Sequence, residues 1–166
     1  MKRENLCVNV LLFAASRGPA PFTTLRVVVA TVNGLGYATG LPLVGIDRFC
    51  AGMYESRTTI MLYNAFGGDL YYAVRRGNEC IISGCENAIR VDELIHPYSS
   101  DAQYIGDGVS LLYPTIIPEL EGPTIDEYRT AALDTWHHGA SHAELSPLYL
   151  KAAWIATRSG ANQSQT

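Results

Sequence analysis

The sequence predicts an α/β fold from three observations. An apolar run of strand length, Val8 to Ala15, passes through a loop into a helical apolar pattern and then into a short strand, Leu43 to Ile46. Residues 58–83 alternate strand-like runs with turns rich in glycine and asparagine. A capped amphipathic helix runs from Thr124 towards Gly139. The 166 residues suffice for one domain or two small lobes. A chain of this size buries roughly 70% of its unfolded surface and needs neither disulfide nor metal to fold. With 48% hydrophobic and 17% charged residues, disordered, collagenous and coiled-coil classes are excluded. Ten tyrosines against four phenylalanines point to half-buried aromatic positions with a polar tip.

Each element has a local cause. Val8 to Ala15 reads as a buried strand that Ser16-Arg17-Gly18-Pro19-Ala20-Pro21 breaks. Pro21 suits the first turn of a helix, where no N–H is needed. Leu25, Val28, Val29, Val32 and Leu35 then recur at helical spacing as one apolar face, with Gly40 as the stop and Pro42 just beyond. Ala30, Gly34 and Ala38 form a second stripe of small residues, where another helix could approach closely. Such a stripe serves either packing within the chain or docking of another protein. Asp47 to Glu55 is expected to be a short linking helix. Strands are expected at Thr58–Tyr63, Leu70–Val74 and from Cys80, with turns at residues 64–69 and 75–78. Glu86 to Ile95 reads as a strand followed by a helix that stops before Pro97. Residues 103–108 read as a strand entering a tight glycine turn, and 114–123 as a proline-rich loop. Thr124 and Glu127 make a capping box, and Ile125, Tyr128, Ala132 and Trp136 line one face of the helix that follows. Leu148 to Leu150 is a short last strand or turn, and the polar tail 157–166 is expected to be disordered.

Charge and cysteine usage narrow the function. Twelve Lys and Arg against sixteen Asp and Glu give −4, which argues against a chain that binds RNA mainly by itself. The imbalance lies in residues 91–166, with three basic and ten acidic residues. Cys7, Cys50, Cys80 and Cys85 form no CxxC pair, and scattered thiols fit a reduced, cytoplasmic protein. The basic and apolar start imitates a signal peptide, but Glu4, Asn5 and Asn9 interrupt it. No stretch reaches the ~20 apolar residues of a membrane span.

Catalytic constellations are thin. His138 and His142 have HxxxH spacing beside His137, but Gly139 lies between them and no acidic residue follows until Glu144. Imidazoles in a last helical turn also suit the helix dipole. There is no GxSxG, and Asp92-Glu93 and Asp126-Glu127 are adjacent pairs whose side chains diverge. Arg17, Gly18, Pro19 and Thr23 surround a helix N-terminus and could hold an anion, although two prolines remove donors.

Several segments together resemble the TsaB family. Gly18-Pro19-Ala20-Pro21-Phe22-Thr23-Thr24-Leu25-Arg26 is similar to its GPGSFTGLR-like loop. Ala30 to Leu35 and Leu41 to Ile46 follow as its helix end and IPLVGV-like strand. Asn64 to Ala73 resembles its DARRGEVYYA-like hairpin, Ile105 to Gly108 its VGDG turn, and Pro147 to Lys151 its PxYLR ending. The likeness covers about residues 8–154.

The resemblance implies an actin-like ATPase fold of two RNase H-like lobes, a cut-down one at 1–55 and a fuller one at 56–156. It implies a bacterial, cytoplasmic scaffold with no catalytic residue, metal or cofactor of its own, ATP entering only at a complex interface. The implied partners are a TsaD-like catalytic subunit and a TsaE-like ATPase, which make N6-threonylcarbamoyladenosine in tRNA; tRNA is met only indirectly, and a homodimer forms in isolation. The implied partner-binding residues are Phe22, Arg26, Ala30, Asn33, Gly34, Tyr37 and Ala38. The family's opening strand, hairpin and helix would lie before residue 8, so a truncated start or a reduced form is expected. Ala20 and Thr24 stand for two family glycines, Asn64 for its Asp and Phe66 for its Arg, which weakens a nucleotide contact. Two other readings stay open: a metal-dependent hydrolase built on His138 and His142, and a homodimeric relict without tRNA-modification activity.

Overall fold

Pairing partners, more than hydropathy, decide where the strands lie. The computed structural model describes residues 10–52 and 57–151. The first strand, β1, is Phe13–Gly18, and helix α1, Phe22–Thr39, carries the chain over to β2, Leu43–Asp47. The two strands run parallel, from Phe13 opposite Leu43 to Ser16 opposite Ile46. After an irregularity, Gly18 meets Asp47. This corrects the expected strand at Val8–Ala15: Ser16 and Gly18, read as part of a loop, stay in the strand because β2 continues opposite them, with Arg17 at the irregularity between. Val8 and Asn9 lie outside the described residues. α1 ends as its sequence dictates, with Gly40 at φ 71° and its N–H donated to the Gly36 carbonyl (2.8 Å).

Two helices sandwich this small sheet. α1 covers one face through Leu25 and Val29 against Ala15 and Leu43. The other face, carrying Val44 and Ile46, is covered by α4, Ile125–His137, through Ala132 with Tyr128 and Trp136 beside it. The capping box is formed: Thr124 Oγ1 accepts the Glu127 N–H, and the Thr124 N–H donates to the Glu127 carboxylate (2.7 Å). Ile125 lies on the same face as Tyr128 and Ala132 but in the first turn, ahead of the buried stretch, and is 87% exposed. The expected lobes also share the chain differently. α4 and Leu145 return from the 56–156 segment to complete the first layer, so the boundary at 55/56 separates the sheets but not the layers that cover them.

The stretch from Asp47 contradicts the expected linking helix over its described part. Residues 48–52 are turn and bend, because the Asp47 carboxylate accepts the Phe49 N–H (2.8 Å) and closes a local turn. Phe49 is thereby turned inward onto Tyr63, ring centroids 5.9 Å apart. Residues 53–55 of that expected helix lie outside the described residues.

The second sheet has the order β5-β4-β3-β6. Its strands are β3 (Thr58–Asn64), β4 (Asp69–Arg76), β5 (Glu79–Asn87) and β6 (Ala102–Ile105). β3, β4 and β5 form the expected antiparallel meander, and β6 pairs parallel with β3. Alternation along β3 and β4 sorts the two faces. Ile60, Leu62, Leu70, Tyr72 and Val74 meet Val91 and Ile95 of helix α2 (Ala88–Ile95) and Val109 of the one-turn helix α3 (Val109–Leu112). Met61, Tyr63, Tyr71, Ala73 and Ile105 meet Phe49 and, at the rim, Leu150. A 3-10 turn at His96–Asp101 joins α2 to β6, with Pro97 in its first turn. The glycine turn after β6 is forced by contact: Gly106 has φ 114°, and a Cβ there would stand 2.0 Å from the Leu62 carbonyl oxygen. Residues 148–150 form no strand, and the expected disordered tail 157–166 lies outside the described residues.

Candidate partner-docking site

α1 has a single charged residue, Arg26, in 18 residues, yet half of its circumference faces solvent. Leu25, Val29 and Gly36 turn inward. Gly36 is needed there, since a Cβ would come within 2.6 Å of the Leu43 side chain. On the opposite side Val27, Ala30, Gly34, Tyr37 and Ala38 are exposed, Val27 at 60% and Tyr37 at 94%. A Cβ added at Gly34 would meet nothing within 4 Å, so the small-residue stripe opens outward. Val28 and Leu35, expected in the apolar inner face, lie on its solvent flank and are 38% and 43% exposed. A helix this short of charge normally has its whole circumference covered.

Three of the expected docking residues are engaged by the chain itself. The Asn33 amide clasps the backbone of Leu145, donating to its carbonyl (3.0 Å) and accepting its N–H (2.8 Å). Phe22 packs on Tyr149, ring centroids 5.0 Å apart. Arg26 lies 4.4 Å over the Phe22 ring and donates to the Tyr149 hydroxyl (3.3 Å). Asn33 is therefore a buckle for the 145–149 segment, while Phe22, Arg26 and Tyr149 form a rim beside the open stripe. Val27 shares this open face without being among the expected residues, though its position three before Ala30 and seven before Gly34 puts it on the same side of the helix.

The loop expected to be an anion cradle is closed by the same segment. Arg17 Nε donates to the Ser146 carbonyl (2.8 Å), and the Arg17 carbonyl accepts the Leu148 N–H (2.7 Å). Gly18 and Pro19 are buried, joined by a cis peptide. A Cβ on Gly18 would meet the Leu148 carbonyl oxygen at 2.9 Å. The Gly18 N–H is taken by Ser16 Oγ (3.3 Å), and Pro19 and Pro21 have none to give. Thr23 is exposed beyond this plug. The expected cradle of Arg17, Gly18, Pro19 and Thr23 is thus corrected to a seam that holds the strap.

The histidines diverge. His137 stacks on Trp136 (5.6 Å), and His138 Nδ1 lies 2.7 Å from the Asp134 carbonyl oxygen. His142 has left the helix and bridges backbone to Leu43. Among the described residues no group of three His, Cys, Asp or Glu is placed to hold a metal, and no helix is long and apolar enough to cross a membrane.

Where the two sheets meet, the groups are buried and charged. The Arg48 guanidinium lies 3.6 Å over the Tyr63 ring, and burial pushes the Tyr63 hydroxyl up to about 12. Burial also raises the Asp47 carboxyl, against the Phe49 N–H and the nearby Arg75 and Arg17 charges. Arg75 Nη1 donates to Cys50 Sγ (3.1 Å), fastening the turn after β2 to the second sheet. At the β3–β4 turn Lys151 Nζ donates to the carbonyls of Ala65 and Phe66 and pairs with Asp69 (2.8 Å). The clamp holds Phe66 at φ 59°, with its ring 60% exposed. A further opening of about 550 Å3 lies between β1 and α4, lined by Leu12, Ala14, Ser16, Ile125, Tyr128 and Leu133 among others. β1 has β2 on one side and no strand on the other among the described residues.

No family model matches the chain, and no curated protein matches it. Solved structures do. An uncharacterized protein with similarity to peptidase YeaZ from Pseudomonas aeruginosa superposes with a TM-score of 0.69 at 17% identity, over 86% of this chain and 74% of its own. YeaZ from Pseudomonas aeruginosa gives a TM-score of 0.66 at 18% identity, over 85% of this chain and 76% of its own. The α/β architecture is accordingly that of the actin-like ATPase fold.

Proposed function

We propose that the chain is a non-catalytic scaffold that resembles TsaB, the family of YeaZ, and that it docks a TsaD-like catalytic subunit on the outer face of α1. In this reading it serves the cytoplasmic modification of tRNA to N6-threonylcarbamoyladenosine, with a TsaE-like ATPase as third member and tRNA met in the assembled complex. The ATP that the reaction consumes enters at the shared interface. In isolation the same face pairs with a second copy.

One observation carries the reading: α1 exposes Val27, Ala30, Gly34, Tyr37 and Ala38 as an uncharged face. Burying an apolar side chain such as valine is worth about 1.5–3 kcal/mol, so a partner here has a clear driving force. Small residues at every fourth position let a second helix come close, and Tyr37 at the edge supplies the large aromatic that interfaces favour. The Phe22–Tyr149–Arg26 rim fixes the helix that presents them.

Co-purification with a TsaD-like subunit tests the assignment. Gly34→Leu and Ala30→Leu each point a bulky group outward from the helix and are expected to abolish pairing while the chain keeps its fold by circular dichroism. Pairing that survives both substitutions overturns the docking assignment. Sizing of the chain alone reads self-association at the same face, which the two substitutions should also remove.

A further inference from the structure

Among the described residues six arginines are engaged within the chain. Arg17, Arg26, Arg48, Arg75, Arg90 and Arg129 each meet a carbonyl, a ring, a thiol or a carboxylate. Arg57 and Arg76 have no such partner among the described residues, and both line the same opening. It lies at the end of the second sheet away from the Gly106 turn, where Thr58 stands opposite Arg76 on β4 and Ala102 on β6. The opening is polar, measures about 460 Å3, and is bounded further by Thr58, Tyr98, Ser100 and Asp101. That volume is within the roughly 300–1,000 Å3 of small-molecule sites.

We propose that this opening binds a ribose phosphate, either a free nucleotide or a unit of an RNA strand. Guanidinium forks match phosphate oxygens in a bidentate geometry, and two of them at one opening without a partner among the described residues, on a chain of net charge −4, is the arrangement an anion would satisfy. Hydroxyls of Thr58 and Ser100 add donors that need no charge. Asp101 disfavours a bare anion but accepts hydrogen bonds from sugar hydroxyls, so the opening suits a phosphate that carries a sugar better than phosphate alone. The site is on the second sheet and is separate from the α1 face, so its fate does not depend on partner docking.

The test is an amide-resolved NMR titration of the full chain at low salt, with adenosine monophosphate, inorganic phosphate and a short oligouridylate as separate probes. Saturable shifts at Thr58, Arg76 and Ser100 are expected, with adenosine monophosphate binding more tightly than inorganic phosphate. Saturation by adenosine monophosphate identifies a free nucleotide as sufficient, and saturation by the oligouridylate alone identifies the RNA strand. The double variant R57Q/R76Q should weaken binding about tenfold or more without changing the thermal midpoint, because both residues are exposed and neither side chain has a hydrogen-bond or ion-pair partner among the described residues. D101N should tighten inorganic phosphate and narrow the advantage of the nucleotide. Absence of saturable shifts with every probe, or binding unchanged in the double variant, overturns the proposal.

Discussion

The two sheets are finished to different degrees. The second sheet has four strands, and β3 is buried on both faces along its middle five residues. The first has, among the described residues, two strands and a covering helix whose outer half meets solvent. A sheet covered on both sides gains nearly all of its stabilisation from its own chain. One whose cover is itself uncharged on the outside has apolar surface left for another molecule. Burial and exposure are thus separated in space: the larger sheet holds the molecule together, and the outer side of α1 is left to solvent.

Glycine substitutions sharpen this contrast most directly. Gly106→Ala strikes the closed sheet, where the positive φ and the Leu62 carbonyl both exclude a Cβ. It should cost about 3 kcal/mol or more, read from the urea midpoint. Gly36→Ala strikes the inner side of α1 against Leu43 and should cost about 1–3 kcal/mol, less than the first because a leucine side chain yields more readily than a backbone. Gly34→Ala, two residues earlier on the same helix, should instead stabilise by about 0.5–1 kcal/mol, since the added methyl meets nothing and helix propensity improves. Equal effects at positions 34 and 36 would erase the distinction between the two sides of α1.

Alkaline titration probes the junction between the sheets and has no effect at neutral pH. The Tyr63 hydroxyl is raised by burial from about 10 to about 12. Between those values the unfolded chain has lost the proton and the folded chain keeps it, so the folded state binds more protons and stability falls as pH rises. Tyr63→Phe should flatten that fall between about pH 10 and 12, measured as urea midpoints across the window. A slope unchanged by the substitution would move the titrating group elsewhere.

The sequence is legible where the cause of a structure is local. Thr124 and Glu127 satisfy one another within a single turn, and Gly40 ends α1 by its own backbone conformation. The stripe of Ala30, Gly34 and Ala38 needs only helical spacing to be seen, and it lies on the exposed side. Hydropathy misplaces β1 because Ser16 and Gly18 are held by β2, some thirty residues further along the chain. It likewise cannot say which sheet α4 covers, since an amphipathic helix records that it needs an apolar surface and not which one. Asn33 and Arg26 look available in the sequence because their partners, Leu145 and Tyr149, are 112 and 123 residues away.

The strap made by Leu145 to Tyr149 sets an order of assembly during synthesis. Strand β1, the loop after it and helix α1 leave the ribosome before it, and the clasp at Asn33, the plug over Gly18 and the ring on Phe22 are all supplied by residues translated more than a hundred positions later. The β1–α1 stretch therefore emerges with its apolar helix unshielded and must wait for the 145–149 segment before it can settle, while the meander between them can close on its own.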